Sequence, residues 1–187
     1  MDVVRKMAEA ITYYIPENTV VDETIVKNSR FICHLNYVAD TVAAKHFIQS
    51  LRQQYPDARH HCSAFIAGAP NNSQCLGSSD DGEPGGTAGR PMLAVLQGSE
   101  IGEICAVVVR YFGGIKLGAG GLVRAYSHSA QQVYEEVVTE TNIHRVEYDL
   151  RCEFSDEQSM RHWLKLHEGV IQDTQYSERV TLLIALE

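Results

Sequence analysis

The stretch "DDGEPGGTAGRP" (Asp80–Pro91) sets four glycines and two prolines among three acids and an arginine, and "RYFGGIKLGAGGLVRAY" (Arg110–Tyr126) is a second glycine-rich segment further along the chain. A mobile linker is solvated and featureless, whereas both stretches are bracketed by strong elements and carry charged side chains, with two prolines in the first and Ile115 and Leu117 in the second. Rigid backbone is the better reading. Glycine permits positive φ and lets a second backbone or a ligand come close, and "GAGG" ahead of a long helix bares that helix's unpaired N-terminal amides. Arg124 falls in the first turn, where a cation opposes the helix dipole by about 0.3–1 kcal/mol, so it calls for a negative neighbour. Asp80, Asp81 or Glu83 could supply it, making the two stretches one interlocked unit, or a bound phosphate could, making them a binding site. Both answers stay open, and they can coexist.

Working outward, a short helix is expected before Pro16. "NTVVDETIVKNSRFICHLNYV" alternates as two strands of a hairpin turning at Lys27–Ser29. "ADTVAAKHFIQSLRQQYP" places Val42, Ala43, Phe47, Ile48 and Leu51 at helical spacing behind an Asp40 or Thr41 cap. "HHCSAFIAG" reads as a short buried strand, Ala69–Ser79 as turns, and Pro91 as the first residue of a helix, where no intrahelical donor is needed. "EICAVVVRYF" is the strongest strand, apolar on both faces, and "LVRAYSHSAQQVYEEVV" a long helix with Leu122, Val123, Tyr126, Ala130, Val133, Tyr134 and Val137 on one side. Thr139–His144 reads as a connection. The remainder, strand, helix, strand, strand, begins a ferredoxin-like unit whose last helix and strand are missing, which would leave its sheet one strand short.

A chain of 187 residues, 44% hydrophobic, has room for one large or two small cores. Its longest apolar run falls far short of the roughly 20 residues that span a bilayer, and the first ten residues lack a secretory pattern, so a cytoplasmic protein is expected. Five cysteines, an odd number with no C-x-x-C pair, point to reduced thiols and away from a disulfide framework or zinc ribbon. The net charge of −8 is uneven: residues 129–187 carry 12 acids against 5 bases, while residues 52–128 carry 6 of each. Global charge therefore disfavours nucleic acid, yet the neutral middle can still present Arg59, Arg90, Arg110, Lys116 and Arg124 as a local basic face.

The nucleotide motifs do not fit. Lys116 precedes the last glycines and is followed by Leu117, so there is no phosphate-binding G-x-x-x-x-G-K-[ST], and "GAGGLV" has Val123 where a dinucleotide fingerprint ends in glycine. His60 and His61, adjacent on a strand, point to opposite faces and cannot readily share a metal; no metal and no cofactor are expected. No local signature surrounds a cysteine or serine nucleophile.

The residues "SDDGEPGGTAGRPML" and "VVVRYFGGIKLGAGGLVRAYSHS", preceded by "KNSRF" and "DARHHCSAFIAG", resemble the IMPACT family and, within it, its bacterial branch. The resemblance implies an α+β fold of two domains, an N-terminal one similar to domain IV of elongation factor G and a ferredoxin-like C-terminal one similar to its domain V. The division is then a 1–18 extension, an N-terminal domain over 19–141 and an incomplete C-terminal domain over 142–187. It also implies a non-catalytic role in translation, with RNA, the ribosome or a translation-associated protein as partner, no membrane and no sequence-specific DNA. The expected contact residues are Arg59, His60, Asp80, Asp81, Glu83, Arg90, Arg110, Tyr111, Lys116, Arg124 and Tyr126. In this reading the bases meet phosphates, Tyr111 or Tyr126 stacks on a base and the acids brace the loops. Gly82, Pro84, Gly85, Gly86, Thr87, Gly89, Gly113, Gly114, Gly118, Gly120 and Gly121 shape the backbone. A kinase-like nucleotide enzyme and a pure protein-interaction module are the competing readings.

Overall fold

The computed structural model describes residues 2–6, 11–70, 72–144 and 146–186. It divides into two compact units, residues 13–141 and residues 1–12 with 142–187.

The larger unit is built on a five-stranded antiparallel sheet. Its strands are β3 (Val20–Val26), β4 (Ser29–Tyr37), β5 (His60–Ile66), β6 (Leu76–Ser79) and β7 (Ile104–Tyr111), ordered β3-β4-β7-β5-β6. β3 and β4 form the expected hairpin, turning at Lys27 and Asn28, both with positive φ. The central strand β7 is buried from Ile104 to Arg110 because helices cover both faces.

α1 (Thr41–Gln54), capped by Asp40 through the amides of Val42 and Ala43, packs on one face with Val38, Cys105 and Val107. α2 (Gly89–Gln97) and α3 (Ala119–Glu135) cover the other, against Phe31, Cys33, Leu35, Cys62, Ala64, Ile66, Ile104, Ala106 and Val108. Each fully buried large apolar side chain here contributes about 1.5–3 kcal/mol.

The second unit has strands β9 (Val146–Cys152), β10 (Val170–Tyr176) and β11 (Val180–Leu186) with α4 (Glu157–Leu166). Its core is Leu150, Cys152, Leu164, Val180, Leu182 and Ile184. The expected strand, helix, strand, strand series is present, but the sheet is not one strand short. β1 (Asp2–Lys6) pairs antiparallel with β9, giving the order β1-β9-β11-β10.

That pairing also corrects the N-terminal expectation. In place of a helix before Pro16 there are two strands, β1 and β2 (Ile11–Pro16), and β2 joins β8 (Thr139–His144), read from sequence as a plain connection, in a two-stranded ribbon. A lone strand's periodicity is too short to distinguish from one or two helical turns when its partner lies far away in sequence. Two further boundaries shift. Within the turn-rich Ala69–Ser79 segment, Leu76–Ser79 is the edge strand β6, and α2 begins at Gly89, so Pro91 is its third residue.

Candidate functional site

Both glycine-rich stretches leave the same end of the sheet. β6 runs out at Ser79 into Asp80, and β7 runs out at Tyr111 into Phe112. At that end Phe31, Arg110 and His60 lie side by side across β4, β7 and β5.

The acids of the first stretch are all consumed within the chain. α2 has Ala88 at its cap and hence no capping side chain of its own; Asp80 serves instead, its carboxylate accepting from the amides of Gly86 (2.6 Å), Ala88 (2.9 Å) and Gly89 (2.8 Å). A Cβ on Gly89 would stand 2.6 Å from the backbone N of Ser79, so the close approach that permits this cap requires glycine. Burial works against the Asp80 charge, but the Gly86, Gly89 and Ala88 amides with the Arg90 guanidinium outweigh it and hold the carboxyl below its ordinary range. Asp81 accepts from Arg52 (2.6 Å) and from the His61 amide (2.6 Å). Burial opposes its charge as well, and these donors outweigh it.

Glu83 joins the two stretches. It is 9% exposed, takes a short ion pair from Arg110 and accepts from the Tyr126 hydroxyl at 2.9 Å. Cys62 donates toward Tyr126 (3.2 Å) and the Asp80 carbonyl (3.0 Å), and burial pushes its thiol up to about 12. The Arg110 guanidinium also lies over the rings of Phe31 (5.2 Å) and Phe112 (5.7 Å). Ser29 Oγ accepts from the Gly113 amide at 3.1 Å. A Cβ on Gly113 would come within 2.0 Å of Asn28 carbonyl carbon, so that glycine locks the second stretch against the β3–β4 turn.

Two expectations are overturned. Arg110, 5% exposed, and Tyr126, fully buried, cannot meet a phosphate or stack on a base in this fold. Both face inward because they line the row that α3 covers, where Phe31 meets Tyr126 edge-on. Tyr111 is half-buried, with the Arg30 guanidinium over its ring. His60 faces the loop, its Nδ1 2.8 Å from the Asp81 carbonyl oxygen, while His61 is packed under α1's side of the sheet. Gly82, Pro84 and Gly85 are exposed, and Thr87 is buried, donating to the Pro84 carbonyl.

Much of the second stretch also lies at the surface. Gly114, Lys116, Gly118, Gly120 and Arg124 are exposed, as are Arg59 and Arg90. α3 starts after Gly118 with no side-chain cap and no acid in its first turn. The Arg124 guanidinium lies back over that turn, with Nη1 3.9 Å from where a Cβ on Gly120 would be. Gly121 packs on Leu117. Sequence reasoning missed Arg52, absorbed into the amphipathic reading of α1, and Phe112, absorbed into the apolar strand. Phe112 is nonetheless 50% exposed.

Among the described residues no group of His, Cys, Asp and Glu is arranged to hold a metal ion, and no helix is long and apolar enough to cross a membrane.

The architecture and this buried junction define a two-unit α+β protein in which glycine-rich segments after β6 and β7 interlock. A family model described as the Impact N-terminal domain matches residues 27–134, and one described as a domain of unknown function (DUF1949) matches residues 150–187. The chain is 50% identical to "IMPACT family member YigZ" of Escherichia coli (strain K12), over 90% of this chain and 81% of that protein. It is 38% identical to "IMPACT family member YvyE" of Bacillus subtilis (strain 168), over 90% and 77%. A crystal structure of a hypothetical protein superposes with a TM-score of 0.78 at 47% identity, covering 94% of this chain and 85% of that one. This chain belongs to the IMPACT family. That membership supports a translation-related regulatory role in general terms.

Proposed function

We propose that this protein is a non-catalytic, translation-related regulator that binds RNA, free or in the ribosome, through the start of α3. One observation carries the reading. Arg124 stands over the uncapped amide end of a 17-residue helix with no carboxylate partner among the described residues, while Asp80, Asp81 and Glu83 are each bound to other groups. The ion-pair alternative for Arg124 is thereby used up, and a cation beside bare helix amides is a geometry that favours a phosphate oxygen. Lys116 on the same loop adds a second exposed positive charge. The first stretch then acts as scaffold: Asp80 and Glu83 fix the loops from which the second projects. The protonated, buried Cys62 thiol and a Glu83 already engaged by Arg110 and Tyr126 favour a binding role over a catalytic one.

The test is charge reversal. Arg124→Glu is expected to remove binding to fluorescently labelled RNA and co-sedimentation with ribosomes while leaving the unfolding transition in place; retention of both activities contradicts the proposal.

A further inference from the structure

Resting on that reading, we infer that Phe112 is a stacking platform for an unpaired base, so that the site takes single-stranded or looped-out RNA in preference to duplex. Phe112 is half exposed although it directly follows the most buried strand of the sheet. Its ring is not free to wander. The Arg110 guanidinium lies 5.7 Å from the ring centroid, and Arg110 is itself held by the buried Glu83 and lies over Phe31. A large aromatic surface with its orientation set from within loses little entropy when a ligand lies on it.

The surroundings suit a nucleotide. Two glycines follow the ring, Gly113 and Gly114, so the next two residues of the chain carry no side chain to set against a flat partner. The cations Lys27, in the turn that abuts Gly113, and Lys116, four residues beyond the ring, are exposed, and neither has an ion-pair partner among the described residues. An exposed aromatic on the same segment as an exposed lysine, leading into the bare amides of α3, offers both a π-face for a base and positive charge for its phosphates. In a duplex both faces of each internal base are already covered by its neighbours, whereas an unpaired base can be splayed onto a ring. That is why this geometry selects strand state.

The probes are a short oligouridylate carrying one 2-aminopurine, and the same strand annealed to its complement. Phe112→Ala is expected to weaken single-strand binding roughly tenfold, the scale of losing one base–aromatic stack, while duplex binding and salt dependence stay at wild-type values. Phe112→Trp is expected to retain affinity, and the wild type, unlike Phe112→Ala, to quench 2-aminopurine emission. Wild-type single-strand affinity in Phe112→Ala, or an equal loss on single strand and duplex, overturns the inference. If Phe112→Ala is neutral while Lys116→Ala with Arg124→Ala weakens binding, the stacking role alone falls. If the wild-type protein binds neither RNA, the phosphate reading falls with it, and the exposed ring is left as a protein contact.

Discussion

Glu83 and Arg110, 27 residues apart in the chain, form an ion pair buried at the junction of the two glycine-rich stretches. The pair ties the loop that precedes α2 to the end of β7, and so sets the position of everything that follows β7, including the start of α3. Breaking it from one side leaves a buried charge without compensation, at a cost of about 3–5 kcal/mol. Arg110→Met is therefore expected to lower the free energy of urea unfolding by about that amount. Adding Glu83→Gln to it should restore part of the loss. Strictly additive single and double variants would show that the two residues are not coupled.

The cap that Asp80 provides for α2 has a pH signature. A carboxyl held below its ordinary value of 3.8 contributes stability that is complete above that value and drains away as pH falls through the lowered one. Asp80→Asn should cost about 1–2 kcal/mol at neutral pH, the scale of a lost cap, and its unfolding midpoint should fall less steeply than the wild type's on acidification below about pH 4. Parallel acid limbs would mean that folding does not lower the Asp80 pKa.

A second, higher pH limb comes from His34. It is 6% exposed, packs beside Tyr55, and its Nε2 has no hydrogen-bond partner among the described residues. Burial lowers its pKa from the ordinary 6.5. Stability from keeping it neutral is complete above that value and is lost as pH falls toward the lowered one. His61 shifts in the same direction, through burial and Arg52, so His34→Phe is expected to remove part, not all, of the decline in urea midpoint between about pH 7 and pH 5. An unaltered decline would assign the whole limb elsewhere.

Two glycines of the stretches should respond oppositely to alanine. Gly113→Ala drives a methyl into the Asn28 and Ser29 backbone, with contacts of 2.0–2.4 Å, and is expected to cost about 2–3 kcal/mol. Gly85→Ala meets nothing within 4 Å and its φ is not positive, so a neutral or slightly raised thermal midpoint is expected. Equal destabilisation by both would mean that glycine's role in these loops is conformational freedom and not close contact.

These residues also show how much of the fold and of the site is legible in the sequence. The β3–β4 hairpin and the buried run of β7 follow from short-range patterning and are present as read, and of the two cap candidates for α1, Asp40 and Thr41, the cap is Asp40. The interlocking of the two stretches could be framed from Arg124's need for a negative neighbour, but which base each acid would meet is a tertiary fact. Arg110 took Glu83, Arg52 took Asp81 and backbone amides took Asp80, leaving Arg124 exposed. Burial of Tyr126 follows its place on the apolar side of the long helix and excludes the contact role also expected of it, while exposure of Phe112 runs against residue type because β7 ends just before it. The β1–β9 pairing joins residues at opposite ends of the sequence, beyond the reach of any local period.

The most direct measurement is the salt dependence of RNA binding by the Lys116→Ala, Arg124→Ala double variant. Two lost phosphate contacts should make the slope of log K against log salt shallower by about 1.4 on single-stranded RNA, with the unfolding transition intact. A slope equal to that of the wild type would mean that the start of α3 meets no phosphate.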